Sequence, residues 1–226
     1  MLLAEELLLL ALDPEGGTPV NSSREPLRVG LSGALVAELG LAGLVAEDGK
    51  RLAPVGGPGT HPLLAEEPLL ADVHRLLGTL RGRRAADQLR RLDRAVGGVW
   101  SRVVDALVDD GVLGRRRDRV LVVRVTRHPV LRPKVRDEVV GRMRAAAAGD
   151  DPLDARTATV LALSGPSRLL EVVAPQRGER RHARARIQDA TEQTPIAPIV
   201  KKVISEAQAA AASAAAVAAT SAASSG

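Results

Sequence analysis

Phenylalanine, tyrosine and cysteine are all absent from this chain of 226 residues, and Trp100 is its one large aromatic side chain. That absence excludes disulfides, zinc–thiolate sites, iron–sulfur clusters and cysteine nucleophiles. It also excludes nucleobase-stacking platforms of the RRM or OB type, which need rings facing the base. A core must therefore be made from Leu, Val, Ala and Ile. Such side chains fill helix interfaces well but supply few large anchors. The length suits one ordinary domain with extra segments.

The apolar spacing is mostly helical. Residues 2–11 form a first helix, closed by Asp13-Pro14-Glu15-Gly16-Gly17. Leu31, Leu35, Leu39 and Ala42 predict a second over about 31–42. Glu47-Asp48-Gly49-Lys50 between short apolar pairs reads as a tight hairpin. Helices are expected at 66–80, 84–95 and 98–109. A second, longer hairpin follows over 112–123, with Val112-Leu113 and Val120-Leu121-Val122-Val123 as arms and Arg115 to Arg119 as a basic tip. A helix over 132–147 comes next, then one opened by Asp151 as N-cap with Pro152 behind it. Shorter helices are expected at 167–174 and 176–190. Periodicity is lost from about 191, and residues 207–226 are nearly all Ala and Ser without a large apolar stripe, which reads as a frayed or disordered tail, helical at most in part. The expected fold is mainly α: one compact helical domain over 1–190 with two short β-hairpins, one of them long and basic-tipped, then a linker and low-complexity tail over 191–226.

The apolar N-terminal run carries Glu5 and Glu6, so it is neither basic-started like a signal peptide nor near the ~20 residues needed to span a bilayer. The expected protein is soluble and cytoplasmic, with any membrane contact peripheral. Charge is unevenly placed. Residues 1–70 hold 4 basic and 10 acidic groups, residues 71–146 hold 19 and 9, and the remainder 9 and 8. Of the 32 basic residues 28 are Arg, whose planar fork suits phosphate and carboxylate. Arg115, Arg116, Arg117 and Arg119, with Arg124, Arg127, Arg132 and Arg136 behind them, form the densest cluster. An anionic surface attracts such a cluster by about 1 kcal/mol per basic residue.

Catalytic patterns are missing. There is no Gly-rich phosphate loop, no dinucleotide fingerprint, no His-Glu-x-x-His and no nucleophile elbow. His61, His74, His128 and His182 share no metal spacing, and His128 before Pro129 reads as a turn residue. Glu5-Glu6 and Glu66-Glu67 are adjacent on helices and do not face one another. No enzyme, cofactor or metal is expected.

Several segments in order carry a resemblance: Glu5-Glu6-Leu7-Leu8-Leu9-Leu10-Ala11-Leu12, Gly30-Leu31-Ser32-Gly33-Ala34-Leu35-Val36-Ala37-Glu38-Leu39, Leu107-Val108-Asp109-Asp110-Gly111-Val112-Leu113, Thr126-Arg127-His128-Pro129, and Asp151-Pro152 leading to Leu161-Ala162-Leu163. Over about residues 1–190 the chain resembles the Golgi phosphoprotein 3 (GPP34 domain) family, in a bacterial, actinobacterial form. The resemblance implies a helical peripheral membrane protein. Eukaryotic members bind phosphatidylinositol 4-phosphate and act as adaptors, and their long hairpin serves membrane insertion and self-association. The family's headgroup pocket uses a Trp and three Arg. By position these fall near Ser23, on Ser32, and near Gly97 and Trp100, with Arg102 matching a further basic position and Arg24 close to the same region.

The reading that follows is a binding protein for anionic lipid headgroups, phosphatidylinositol 4-phosphate-like by resemblance, on the inner face of the cell membrane. Arg24, Ser32, Trp100 and Arg102 are its candidate ligand residues. Arg115, Arg116, Arg117 and Arg119 are its candidate membrane contacts, and the 112–123 hairpin a route to self-association. Two alternatives remain open. Helix 98–109 followed by a hairpin is the local order of a winged helix, although Asp109-Asp110 opposes phosphate and makes nucleic acid an unlikely partner. A protein–protein scaffold without a lipid role is the other.

Overall fold

Helix α1 (Leu3–Ala11) has no solvent-facing side: all nine of its residues are buried, Glu5 and Glu6 included. A helix apolar all round belongs in the middle of a bundle, and α1 packs there against α2 (Arg24–Leu41), α6 (Val99–Asp109), α7 (Pro133–Ala148) and α8 (Ala155–Ser164). The computed structural model describes residues 1–20, 24–57, 59, 61–80, 84–120, 123–193 and 198–223. The remaining helices are α3 (Pro62–Glu66), α4 (Pro68–Thr79), α5 (Ala85–Ala95), α9 (Leu170–Val173), α10 (Arg180–Gln193) and α11 (Pro198–Ala223). Strands β1 (Val45–Asp48) and β2 (Arg51–Pro54) pair antiparallel, as do β3 (Arg116–Val120) and β4 (Val123–Arg127). The fold is mainly helical with two short hairpins, as the spacing predicts.

The acids on α1 are buried, and each meets partners that reach in from other groups. Glu5 Oε2 accepts the Leu2 N–H at 2.7 Å, and Glu38 Oε2 on α2 accepts the Leu3 N–H at 2.7 Å. Glu6 pairs with Arg142 of α7 and lies 3.8 Å from Arg156 of α8, which also binds Glu38. These contacts satisfy orphan N–H groups at the start of α1 and tie three helices to it. Burial outweighs them in both carboxyls: it raises the pKa of Glu5, against the Leu2 N–H, and of Glu6, against Arg142 and Arg156.

Helix α2 begins at Arg24, earlier than the Leu spacing suggests. Gly30, Gly33 and Gly40 lower its intrinsic propensity, so its length is set by packing. Its chief neighbour is α11. Here the sequence reading is corrected. Where periodicity seemed to end, Val200, Val203, Ile204, Ala207 and Ala210 form a buried face of a helix that reaches Ala223. The stripe is small, but α2 meets it with glycines. A Cβ on Gly33 would lie 3.4 Å from the Ala207 Cβ, and one on Gly40 only 3.0 Å from a Val200 methyl. Close backbone approach replaces large side chains as the source of contact.

Helix α8 also starts later than expected. Its N-cap is Asp154, whose carboxylate accepts the N–H groups of Arg156 and Thr157 at 2.9 and 3.0 Å. Asp151 instead gives its carbonyl to the buried Arg186 guanidinium, which also reaches the Ala146 carbonyl in the last turn of α7 at 3.3 Å.

Removing the Ile204 side chain, 2% exposed, should cost about 2–5 kcal/mol; urea unfolding of Ile204→Ala measures it, and a loss within error of zero would contradict docking of α11. A carboxyl with a raised pKa binds its proton more tightly folded than unfolded. The stability it contributes is full below the unfolded pKa and falls as pH rises through the folded one. Glu5→Gln should therefore flatten the decline of stability as pH rises above about 4.5, as read by urea midpoints across pH.

Candidate functional site

Along α5 the residues sort cleanly by face. Ala85, Gln88, Leu89 and Leu92 are buried, while Asp87, Arg90, Arg91 and Arg94 lie on the opposite side at i, i+3, i+4 and i+7. That polar side is one wall of a cleft of about 800 Å³. Glu25 and Arg28, from the start of α2, form the facing wall, and Gly97 and Gly98 close one end.

A buried amide ties helix α5 to the first hairpin. Gln88 Oε1 accepts the Leu52 N–H at 2.7 Å, and Gln88 Nε2 donates to the Leu52 carbonyl at 2.9 Å, so one side chain pairs like a strand with β2. Asp93 fixes the end of the same helix: it accepts the Val99 N–H at 2.8 Å, which orients the Gly97-Gly98 joint into α6. Its other oxygen lies 3.8 Å from Arg28. Arg90 pairs with Asp87 on its own helix. Among the described residues, Arg91, Arg94 and Glu25 have no hydrogen-bond or ion-pair partner.

Among the described residues, the candidate ligand residues Ser32, Trp100 and Arg102 do not line this cleft. Ser32 is fully buried and its hydroxyl meets no partner, so it lies in the core between walls rather than on one. Trp100 is half-buried and packs against the core. Arg102 reaches Asp72 of α4 at 3.0 Å and the Val96 carbonyl at 3.4 Å. Asp72 is shared with Arg75, and the two guanidiniums, Arg75 first, hold its carboxyl below the usual range. Arg24 is the first residue of α2, and its side chain lies outside the described residues. The cleft residues Glu25, Arg28, Gly97 and Gly98 are sequence neighbours of these positions.

The long hairpin is displaced from where its composition put the tip. Leu113 bridges Val130, and the Gly114 N–H donates to the Pro129 carbonyl. That register continues unchanged from Arg116 opposite Arg127 to Val120 opposite Val123. The last described pair of the ladder is Val120 and Val123, and Leu121 and Val122 between them lie outside the described residues. Arg116, Arg117 and Arg119 are on the arm, not the tip, facing Arg127, Thr126 and Arg124 in that order. Arg115, below the ladder, pairs with Asp105 of α6. The base decides this: Val112 and Leu113 are buried, so the ladder is anchored there and its register carries the arginines onto the arm. His128, expected at a turn, instead lies between β4 and the Leu113–Val130 bridge. Its N–H donates to the Gly17 carbonyl at 2.9 Å, and Gly17, at φ +58°, lies so near that a Cβ there would meet the His128 carbonyl carbon at 2.3 Å.

A family model described as Golgi phosphoprotein 3 (GPP34) matches residues 3–207. The chain belongs to the Golgi phosphoprotein 3 family. No curated protein matches it. The GPP34 match ends within α11, so it takes in the buried turns that follow residue 190. Membership supports a lipid- or membrane-related peripheral role. No helix among the described residues is long and apolar enough to cross a membrane, and none of their His, Asp and Glu side chains gather as a metal site. The cleft arginines are the residues that sequence reasoning missed. Their signal was Asp-x-x-Arg-Arg-x-x-Arg at helical spacing over 87–94, eclipsed by the denser cluster at 115–119.

Gln88→Leu leaves the Leu52 N–H and carbonyl buried without partners. It should cost about 2–4 kcal/mol in chemical unfolding, and a neutral result would show that β2 and α5 do not depend on this amide.

Proposed function

We propose that this GPP34 protein is a peripheral membrane-binding module that recognises anionic lipid headgroups, phosphatidylinositol 4-phosphate-like by its family, in the α2–α5 cleft. The observation that carries the reading is the pair of unpartnered guanidiniums, Arg91 and Arg94, on the wall of a cleft closed by Gly97 and Gly98. A family headgroup arginine maps near Gly97. Arg91 and Arg94 of α5 supply donors from other positions than Ser32 and Trp100, while Arg28, one turn before Ser32 on α2, lies 3.8 Å from Asp93. In this reading Arg24 and Arg102 border the cleft region, and Ser32 and Trp100 keep the packing behind it.

The hairpin supplies a second contact. Its arms carry Arg116, Arg117 and Arg119, so it would add attraction to phosphate at the inner face of a cell membrane. Self-association through the same hairpin remains part of the proposal. Nucleic acid is disfavoured by α6: Asp105, Asp109 and Asp110 stand on its exposed side, where a recognition helix would meet phosphate.

Each charge-assisted bond lost should lower affinity by roughly tenfold or more. Sedimentation with phosphatidylcholine vesicles, alone or with phosphatidylglycerol or phosphatidylinositol 4-phosphate, is expected to show binding only to the anionic ones, reduced by at least about tenfold in Arg91→Ala/Arg94→Ala. Equal sedimentation of variant and wild type would remove the cleft from the reading.

A further inference from the structure

The cleft is not simply basic, and its charges sort into those already neutralised and those left over. Arg90 is paired with Asp87. Arg28 faces Asp93 at 3.8 Å, while Asp93 also holds the Val99 N–H. What remains is two cations on the α5 wall, Arg91 and Arg94, and one anion on the α2 wall, Glu25. Arg91 and Arg94 are three residues apart on one helix face, so they can bind neighbouring anionic groups of one ligand. Glu25 lies across the cleft, exposed, in the first turn of α2.

Resting on the reading of the cleft as an anionic headgroup site, and departing from its phosphatidylinositol 4-phosphate-like form, we propose that the cleft selects an anionic headgroup that also bears a primary ammonium. The chemistry is a phosphodiester and a carboxylate for Arg91 and Arg94 and an –NH3⁺ for Glu25, as in phosphoserine. The charge count is complementary group by group. A headgroup with a phosphomonoester and no amine brings more negative charge than the two free guanidiniums match, and it sets that charge against Glu25, Asp87 and Asp93. A glycerol headgroup leaves Glu25 without a partner. The Glu25 contact is solvent-exposed and contributes selectivity rather than bulk affinity.

Vesicles of phosphatidylcholine with equal mole fractions of phosphatidylserine or phosphatidylglycerol test this directly, because the two lipids carry the same net charge and differ in the amine. The full-length chain should bind the phosphatidylserine vesicles roughly two- to fivefold more tightly. Glu25→Gln should erase that preference without weakening binding to phosphatidylglycerol. Arg91→Ala/Arg94→Ala should weaken binding to both. Equal binding of both lipids by wild type, with the double arginine variant still impaired, overturns the ammonium proposal and leaves the headgroup cleft standing. A preference for phosphatidylinositol 4-phosphate over phosphatidylserine that grows in Glu25→Gln overturns it as well. Indifference of all binding to Arg91 and Arg94 removes the cleft itself, and this proposal with it. Calorimetry with glycerophosphoserine separates the sources of the chemistry: weaker binding than to vesicles supports a lipid, and equal binding assigns the cleft to a free amino-phosphate and overturns a membrane ligand.

Discussion

The structure turns on a short helix that is buried on every side and still carries two carboxyls. Leu7, Leu8, Leu9 and Leu10 supply apolar surface in all directions, each worth about 1.5–3 kcal/mol on burial. Glu5 and Glu6 cost free energy in the same place, and that cost is reduced only if specific groups come to meet them. The Leu2 N–H, Arg142 and Arg156 do so, and Glu38 joins by holding the Leu3 N–H and Arg156. The acids therefore specify which helices surround α1 and at what height, a directional demand that the leucines do not make.

Around that centre, contact is achieved by bringing backbones close. With no Phe or Tyr to fill wide gaps, α2 and α11 meet through Gly33 and Gly40 against Ala207 and Val200. The α5 helix is fixed by one glutamine paired to both polar groups of Leu52. These two devices carry the function proposed for the cleft. α2 gives Glu25 and Arg28 a rigid base, and Gln88 turns the Asp87–Arg94 face outward. The charged side chains then owe their placement to buried contacts on the far side of their own helices.

Much of the helical layout was legible from spacing: α1, α4 to α7 and both hairpins lie near where their apolar periods place them. Three readings moved for identifiable reasons. The α2 start was hidden by glycines, which lower local propensity while permitting tertiary packing. The α11 face was hidden because Ala207 and Ala210 are apolar surfaces only when a partner lets them approach. The hairpin apex was misplaced because composition marks polar residues as the turn, whereas register is set by Leu113 and Val130 at the base. Of the site, the concentration of arginine in the middle third was visible. Which arginines remain unpaired was not, since Arg102 is spoken for by Asp72, thirty positions away, and Arg115 by Asp105, which lies on α6.

By itself the sequence determined that the protein is helical, that it lacks thiol and ring chemistry, that its first helix is buried, and to which family it belongs. Those properties follow from residue type and short-range period, which a linear string contains in full. The cleft was decided only by tertiary structure. A charge becomes a binding group when nothing in the fold neutralises it and when a second wall faces it. Both conditions depend on residues brought together from α2 and α5, some sixty positions apart, through a core in which neither set takes part.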